Sequence, residues 1–165
     1  MKSTKFLVQA SVIGAIYAVL TIALAPFSYG MLQVRVSEAL TILPFFTSAA
    51  VPGLFIGCII ANIYGVLSGN SLLGVFDIVF GSLATLIAAY LSSKARKKFL
   101  VPIPPIIVNA LVVGVMMYYA FLNIPELKGP VLVFIGWVGL GQLVACYGLG
   151  YPLILILQRY KKIFK

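Results

Sequence analysis

Residues 38–68, EALTILPFFTSAAVPGLFIGCIIANIYGVLS, decide the fold, because whether this stretch crosses a membrane once or twice sets the side on which everything after it lies. The composition places the chain in a membrane. Of its 165 residues 62% are hydrophobic and 9% are charged, roughly a third of the ~25% charged share of an ordinary globular protein. Four further runs, 6–25, 72–92, 103–121 and 131–157, reach or approach the ~18–20 apolar residues that span a bilayer. The first follows MKSTK but is too long, and too poorly followed by a cleavage site, for a removable signal peptide; it reads as a membrane helix.

The net charge of +9 is confined to borders. Ten of the twelve basic residues fall in three clusters beside apolar runs: Lys2 and Lys5; Lys94, Arg96, Lys97 and Lys98; Arg159, Lys161, Lys162 and Lys165. Such clusters mark cytoplasmic loops and point to membrane topology instead of nucleic acid. With the N-terminus inside, 6–25 leads out, while 103–121 and 131–157 form an out-and-back pair around NIPELKGP, 123–130. A single crossing by 38–68 strands SKARKK, 93–98, on the outside; two crossings keep it inside. The hairpin turn is supplied by PFFTSAAVPG, 44–53, since proline lacks a donor and disfavours helix in the residue before it. Each arm is then about 12–16 residues and is expected to be shielded by protein. The prediction is an all-α membrane protein of six transmembrane helices, N- and C-termini cytoplasmic, forming one integral membrane domain over 1–165.

Small residues four apart let helices approach closely in lipid. Ala10, Gly14 and Ala18 form one such stripe, and Gly53, Gly57, Ala61 and Gly65 another. Spacing leaves open whether they pack on each other or on an external partner. Cys58 and Cys146 lie inside apolar segments with no CxxC and no histidine, and read as core thiols.

Arg35, Glu38 and Asp77 stand away from the basic borders, plausible only within or beside the membrane, where each costs about 2.5–3.5 kcal/mol at mid-bilayer and is a functional candidate by default. Arg35 and Glu38 fall at the outer start of the second helix, with Ser37 as N-cap and Glu38 favoured by the helix dipole. Asp77 falls one and a half turns into the fourth helix on a face shared with Gly81 and Thr85. Gln33 and Asn62 lie near that level, Asn109 and Gln142 deeper, and Trp137, Tyr118, Tyr119 and Tyr147 are available as ring walls. A salt bridge from Arg35 to either carboxylate could merely fix the hairpin. Yet two carboxylates and one guanidinium leave a formal −1, which a cationic ligand group would complement. No catalytic motif, metal set or GxxxxGK[ST] occurs, so the reading is a non-enzyme without cofactor whose energy comes from an ion gradient or from partners.

Five stretches carry a family resemblance: YGMLQVRVSEALTILPFF, PGLFIGCIIANIYG, DIVFGSLATLIAAYLS, PPIIVNALVVG and CYGLGYPL. Together they resemble the QueT family, substrate-binding S components of energy-coupling factor (ECF) vitamin transporters in the bacterial cell membrane. The resemblance implies a six-helix S component that binds a queuosine precursor or salvage product from outside: a 7-deazaguanine, its aminomethyl form, queuine or queuosine. It implies delivery inward with a transmembrane coupling subunit and two ATPase subunits. Residue by residue, the family's QxRxSEAL pattern falls on Gln33, Arg35, Ser37 and Glu38, its DIVFG aspartate on Asp77 and its NxxxG asparagine on Asn109, while Gln142 stands where glutamate is more usual. The coupling-subunit contact falls on Ala10, Gly14 and Ala18. The rival readings are a stand-alone ion-coupled secondary transporter driven through Asp77 and Glu38, and a membrane assembly subunit that carries no ligand.

Overall fold

A computed structural model describes residues 3–30, 33–122, 124 and 129–163, the side chains of 161–163 excepted, and among these every regular element is helical. The first helix, α1 (Thr4–Ala23), starts where the Ser3 hydroxyl accepts the Phe6 N–H at 3.4 Å, a side-chain cap on an otherwise orphaned donor. Its 20 residues cover about 30 Å, the thickness of a bilayer core. Three further helical segments are as long and apolar: α3 (Ala50–Leu67), the stretch Lys98–Phe121 that contains α5 (Ile103–Phe121), and α6 (Val131–Tyr160). Two are shorter, α2 (Val36–Phe45) and α4 (Asp77–Ser93). The chain is a multi-pass membrane protein.

The stretch that decides the topology is a helical hairpin with unequal arms. Its first arm, α2, is wound as a 3-10 helix, and at about 2.0 Å per residue ten residues reach only about 20 Å. Seven of the ten are buried, Ser37 through Ala39 and Thr41 through Pro44, so the short arm is wrapped by α1, α3, α4 and α6. Protein, not lipid, surrounds it, as the length argument expects. The second arm departs from expectation. Pro52 and Gly53 do not form the turn; they lie in the first turn of an 18-residue α3, where a proline's missing N–H is no loss. The turn itself is residues 46–49, closed by N–H groups of Phe46 and Thr47 on the Leu43 carbonyl at 2.8 and 3.0 Å.

Two helices carry widened π turns. α4 begins later than residue 72, because Gly74 turns the chain at φ +57 and the Asp77 N–H bonds its carbonyl at 3.1 Å; a π turn then runs Asp77–Gly81. In α6 the π turn Val144–Gly150 immediately precedes Pro152, whose ring would clash with the carbonyl four residues back in a regular helix. The widened turn lets one helix continue past the proline.

The two small-residue stripes pack on each other. A Cβ on Gly57 would sit 2.5 Å from the Gly14 carbonyl oxygen, and one on Gly53 2.5 Å from that of Ala10. Gly14 thus packs on α3 within the chain, and Ala18 is buried in the bundle. Farther along, Gly65 lies beneath the Tyr29 ring.

One end of the bundle is basic. The Lys98 ammonium donates to the Gln158 side chain, and Phe6, Ser48 and Lys94 line a common groove, so the borders holding Lys5, Lys94 to Lys98 and Arg159 meet there. Lys2, Lys165, the side chains of Lys161 and Lys162, and most of the expected turn 123–130 lie outside the described residues.

Candidate functional site: a buried polar network

Into an apolar bundle the sequence sends polar side chains from six helices, and buried polar groups must find one another. The approach to α2 sets the first of them. Gln33, buried at 2% exposure, adopts φ +43, and its carbonyl takes the Arg35 N–H at 2.8 Å. This tight reversal precedes the point at which Arg35 enters the core. Its guanidinium donates to the Asp77 carboxylate at 2.7 Å and to the Ser28 carbonyl at 3.2 Å, with the Tyr29 ring 5.5 Å from its centre. Both charged side chains are at most 4% exposed. Asp77 also accepts from the Ser71 hydroxyl at 3.3 Å, while its second oxygen, Oδ1, has no partner and packs where Gly81 lacks a Cβ.

Asn62 of α3 joins this pair to the rest. Its amide donates to the Asp77 carbonyl at 2.8 Å, to Ser82 at 3.2 Å and toward the Cys58 sulfur at 3.4 Å, leaving its own Oδ1 without a partner. Thr85, one turn beyond Gly81, touches the same sulfur at 3.4 Å and donates to Glu38 at 3.2 Å. Glu38 further accepts from the Tyr17 hydroxyl at 2.5 Å and from Asn109 at 3.2 Å, and Asn109 donates to Gln142 at 3.2 Å. Six of the seven sequence-predicted site residues, Arg35, Glu38, Asn62, Asp77, Asn109 and Gln142, thus form one continuous network. Gln33 is buried beside it.

The charges are unequally answered. Arg35 and Asp77 cancel at contact distance, whereas among the described residues the hydrogen-bond partners of Glu38 are all neutral. With all three groups ionised the network carries a formal −1. Among the described residues no three His, Cys, Asp or Glu side chains gather as a metal site.

Some expectations are corrected. Ser37 does not cap α2; its hydroxyl lies 2.6 Å from that of Thr21, which in turn donates to the Tyr17 carbonyl at 2.9 Å. Trp137, Tyr118, Tyr119 and Tyr147 do not wall the network. Tyr119 is 65% exposed, Tyr118 and Trp137 flank Phe134 in a separate apolar cluster, and Tyr147 donates to the Phe99 carbonyl near the basic end. The rings that do meet the polar groups are Tyr17 and Tyr29. Sequence reasoning missed both. The available signal was Thr21 four residues after Tyr17, on the face of α1 that already holds Gly14 and Ala18.

A family model described as QueT transporter matches residues 7–159. The chain is also similar to the queuosine precursor transporter QueT of Lactococcus lactis subsp. cremoris (strain MG1363), at 35% identity over 91 residues, 53% of this chain and 50% of that protein. The matched region therefore spans about half the length of that curated relative. No solved structure matches the chain. The family match covers nearly all of the sequence, and the network residues from Gln33 to Gln142 lie inside it: the chain belongs to the QueT transporter family.

Proposed function

We propose that this chain is the substrate-binding S component of an ECF importer in the bacterial cell membrane, taking up a queuosine precursor or salvage product: a 7-deazaguanine, its aminomethyl form, queuine or queuosine. Family membership supports transport, and the name of the similar Lactococcus protein supports the substrate class. The observation that carries the site is Glu38, a buried carboxylate with neutral partners only, in a network whose single cation is already committed to Asp77.

The chemistry fits the proposed ligand. A deazaguanine offers its ring N1–H and exocyclic amine side by side, and one carboxylate can accept both. Glu38 is assigned this role because Asp77 is engaged by Arg35. Gln33 and the Arg35 guanidinium are the donors for the ligand carbonyl, and an aminomethyl cation would offset the residual −1. Asn62, Asn109 and Gln142 orient these groups.

In this reading all six helical segments cross the bilayer and the basic end faces the cytoplasm, which leaves the network toward the outer side. A coupling subunit with two ATPases would meet α1. Ala10 and Gly14 line the α1–α3 seam together with the exposed small residues Ser11 and Ala15, and that subunit would touch them there, while Ala18 is buried in the bundle.

Purification of the chain from native membranes in mild detergent tests the proposal. A bound deazaguanine identified by mass spectrometry, with ATPase subunits co-purifying, is the expected result. Ion-driven uptake by the chain alone in proteoliposomes contradicts it in favour of a secondary transporter. Absence of both ligand and transport leaves an assembly subunit.

A further inference from the structure

The chain has three acidic residues in all, and the two described ones, Glu38 and Asp77, are buried in the network. Among the described residues the single ion pair is Arg35 with Asp77. The basic end therefore has no described carboxylate to neutralise it. At that end a groove of about 490 Å³ opens between α1, the 46–49 turn and the end of α4. Its floor is apolar, formed by Pro44, Val51 and Pro52, and its mouth carries Ser48 and Lys94. The Lys94 ammonium is held 5.3 Å over the Tyr90 ring, while the Ser93 hydroxyl is turned back to the Tyr90 carbonyl at 2.6 Å. Lys94 and Ser48 are donors at the mouth, beside the exposed Tyr90.

A second groove adjoins it: Phe6 and Pro52 also line a space of about 420 Å³ that follows the α1–α3 seam past Ala10 and Gly14 to Ile56 and Ile60. A cationic mouth beside an apolar groove along a membrane helix suits a molecule with an anionic head and a hydrocarbon tail. We propose that this is a binding site for an anionic phospholipid, its phosphate on Lys94 and Ser48 and one acyl chain along the α1–α3 seam. A free phosphate would use the mouth alone and leave the second groove empty. The site is separate from the polar network and does not depend on what that network binds. A coupling subunit on α1 would cover the same seam, so the solitary chain is the form in which the lipid is retained.

Native mass spectrometry of the purified solitary chain, titrated with dioleoyl-phosphatidylglycerol, dioleoyl-phosphatidylcholine or inorganic phosphate, reads this directly. The expected result is phosphatidylglycerol retained about five-fold more tightly than phosphatidylcholine, in line with one basic residue near an anionic head, and no phosphate adduct. Lys94→Gln removes the preference between the lipids, whereas Arg159→Gln, in a separate groove at the same end, changes it less than two-fold. Ser48→Trp, on an exposed turn where it fills the groove without loading the core, weakens both lipids; an unchanged melting midpoint verifies its fold. Equal losses from Lys94→Gln and Arg159→Gln would show only diffuse attraction and overturn the site. So would undiminished lipid retention in Ser48→Trp, or phosphate binding as tight as the lipid's.

Discussion

The regions around Asp77 and around Glu38 belong to one hydrogen-bonded network, yet they neutralise a carboxylate in opposite ways. Asp77 sits at the start of α4 in contact with a guanidinium, 2.7 Å away, and its carbonyl and one carboxylate oxygen tie α4 to α3 and to Ser71. Glu38, on the 3-10 helix at the centre of the bundle, is met by a phenol, an alcohol and an amide drawn from α1, α4 and α5. In the proposed reading the first group fastens and the second responds: a matched ion pair needs nothing further, while a carboxylate met by neutral dipoles is left for a ligand cation to balance.

Breaking the fastener should have the largest effect. Arg35→Met leaves the Asp77 charge buried alone and is expected to lower stability by about 3–5 kcal/mol, read as a fall in the melting midpoint of the detergent-purified protein. The double substitution Arg35→Met with Asp77→Leu should recover most of that loss. If the single change is harmless, the Asp77 region is not a fastener and the contrast fails. Tyr17→Phe acts on the other side, removing the shortest bond to Glu38, and should cost about 1.5–3 kcal/mol of stability by the same readout. Gly81→Ala sharpens the comparison, because its methyl meets Asp77 Oδ1 and the Asn62 amide and leaves Glu38 alone. It should destabilise by about 1–3 kcal/mol through overpacking, with ligand affinity changed less than stability. The smallest effect belongs to Gln142→Leu at the far edge of the network, about 0.5–1.5 kcal/mol for the lost amide hydrogen bond from Asn109 and the weaker thiol contact from Cys146.

Much of the architecture was legible in the sequence for reasons that can be named. The α5 bounds Ile103–Phe121 coincide with an apolar run that starts at prolines and carries Asn109 as its polar residue, and the helix–turn–helix form of 38–68 followed from charge bookkeeping across its flanks. Depth brought Arg35, Glu38 and Asp77 to one level and left open which carboxylate takes the guanidinium; the structure pairs Arg35 with Asp77. What stayed hidden depended on geometry that periodicity does not carry. Pro52 looks the same in a turn as in the first turn of a helix, and a 3-10 segment reads as an α-helix until its length is compared with the span it must cover. Tyr17 reads as aromatic core because its ring is buried in apolar surroundings; only the approach of α2 reveals that its hydroxyl points at Glu38. The four aromatics expected as pocket walls were chosen by residue type, and their helices turn them to lipid or to other clusters.

In the proposed reading Glu38 is the ligand-reading group, and Asp77 with Arg35 holds the scaffold. Isothermal titration of the purified chain with an aminomethyl-deazaguanine tests it most directly, comparing the unsubstituted protein with Glu38→Gln, which keeps the side chain's shape and removes its charge. The expected affinity is at least about 100-fold weaker, the loss of a charged, buried hydrogen-bond pair, with a melting midpoint close to that of the unsubstituted protein. Unchanged affinity in Glu38→Gln would contradict it.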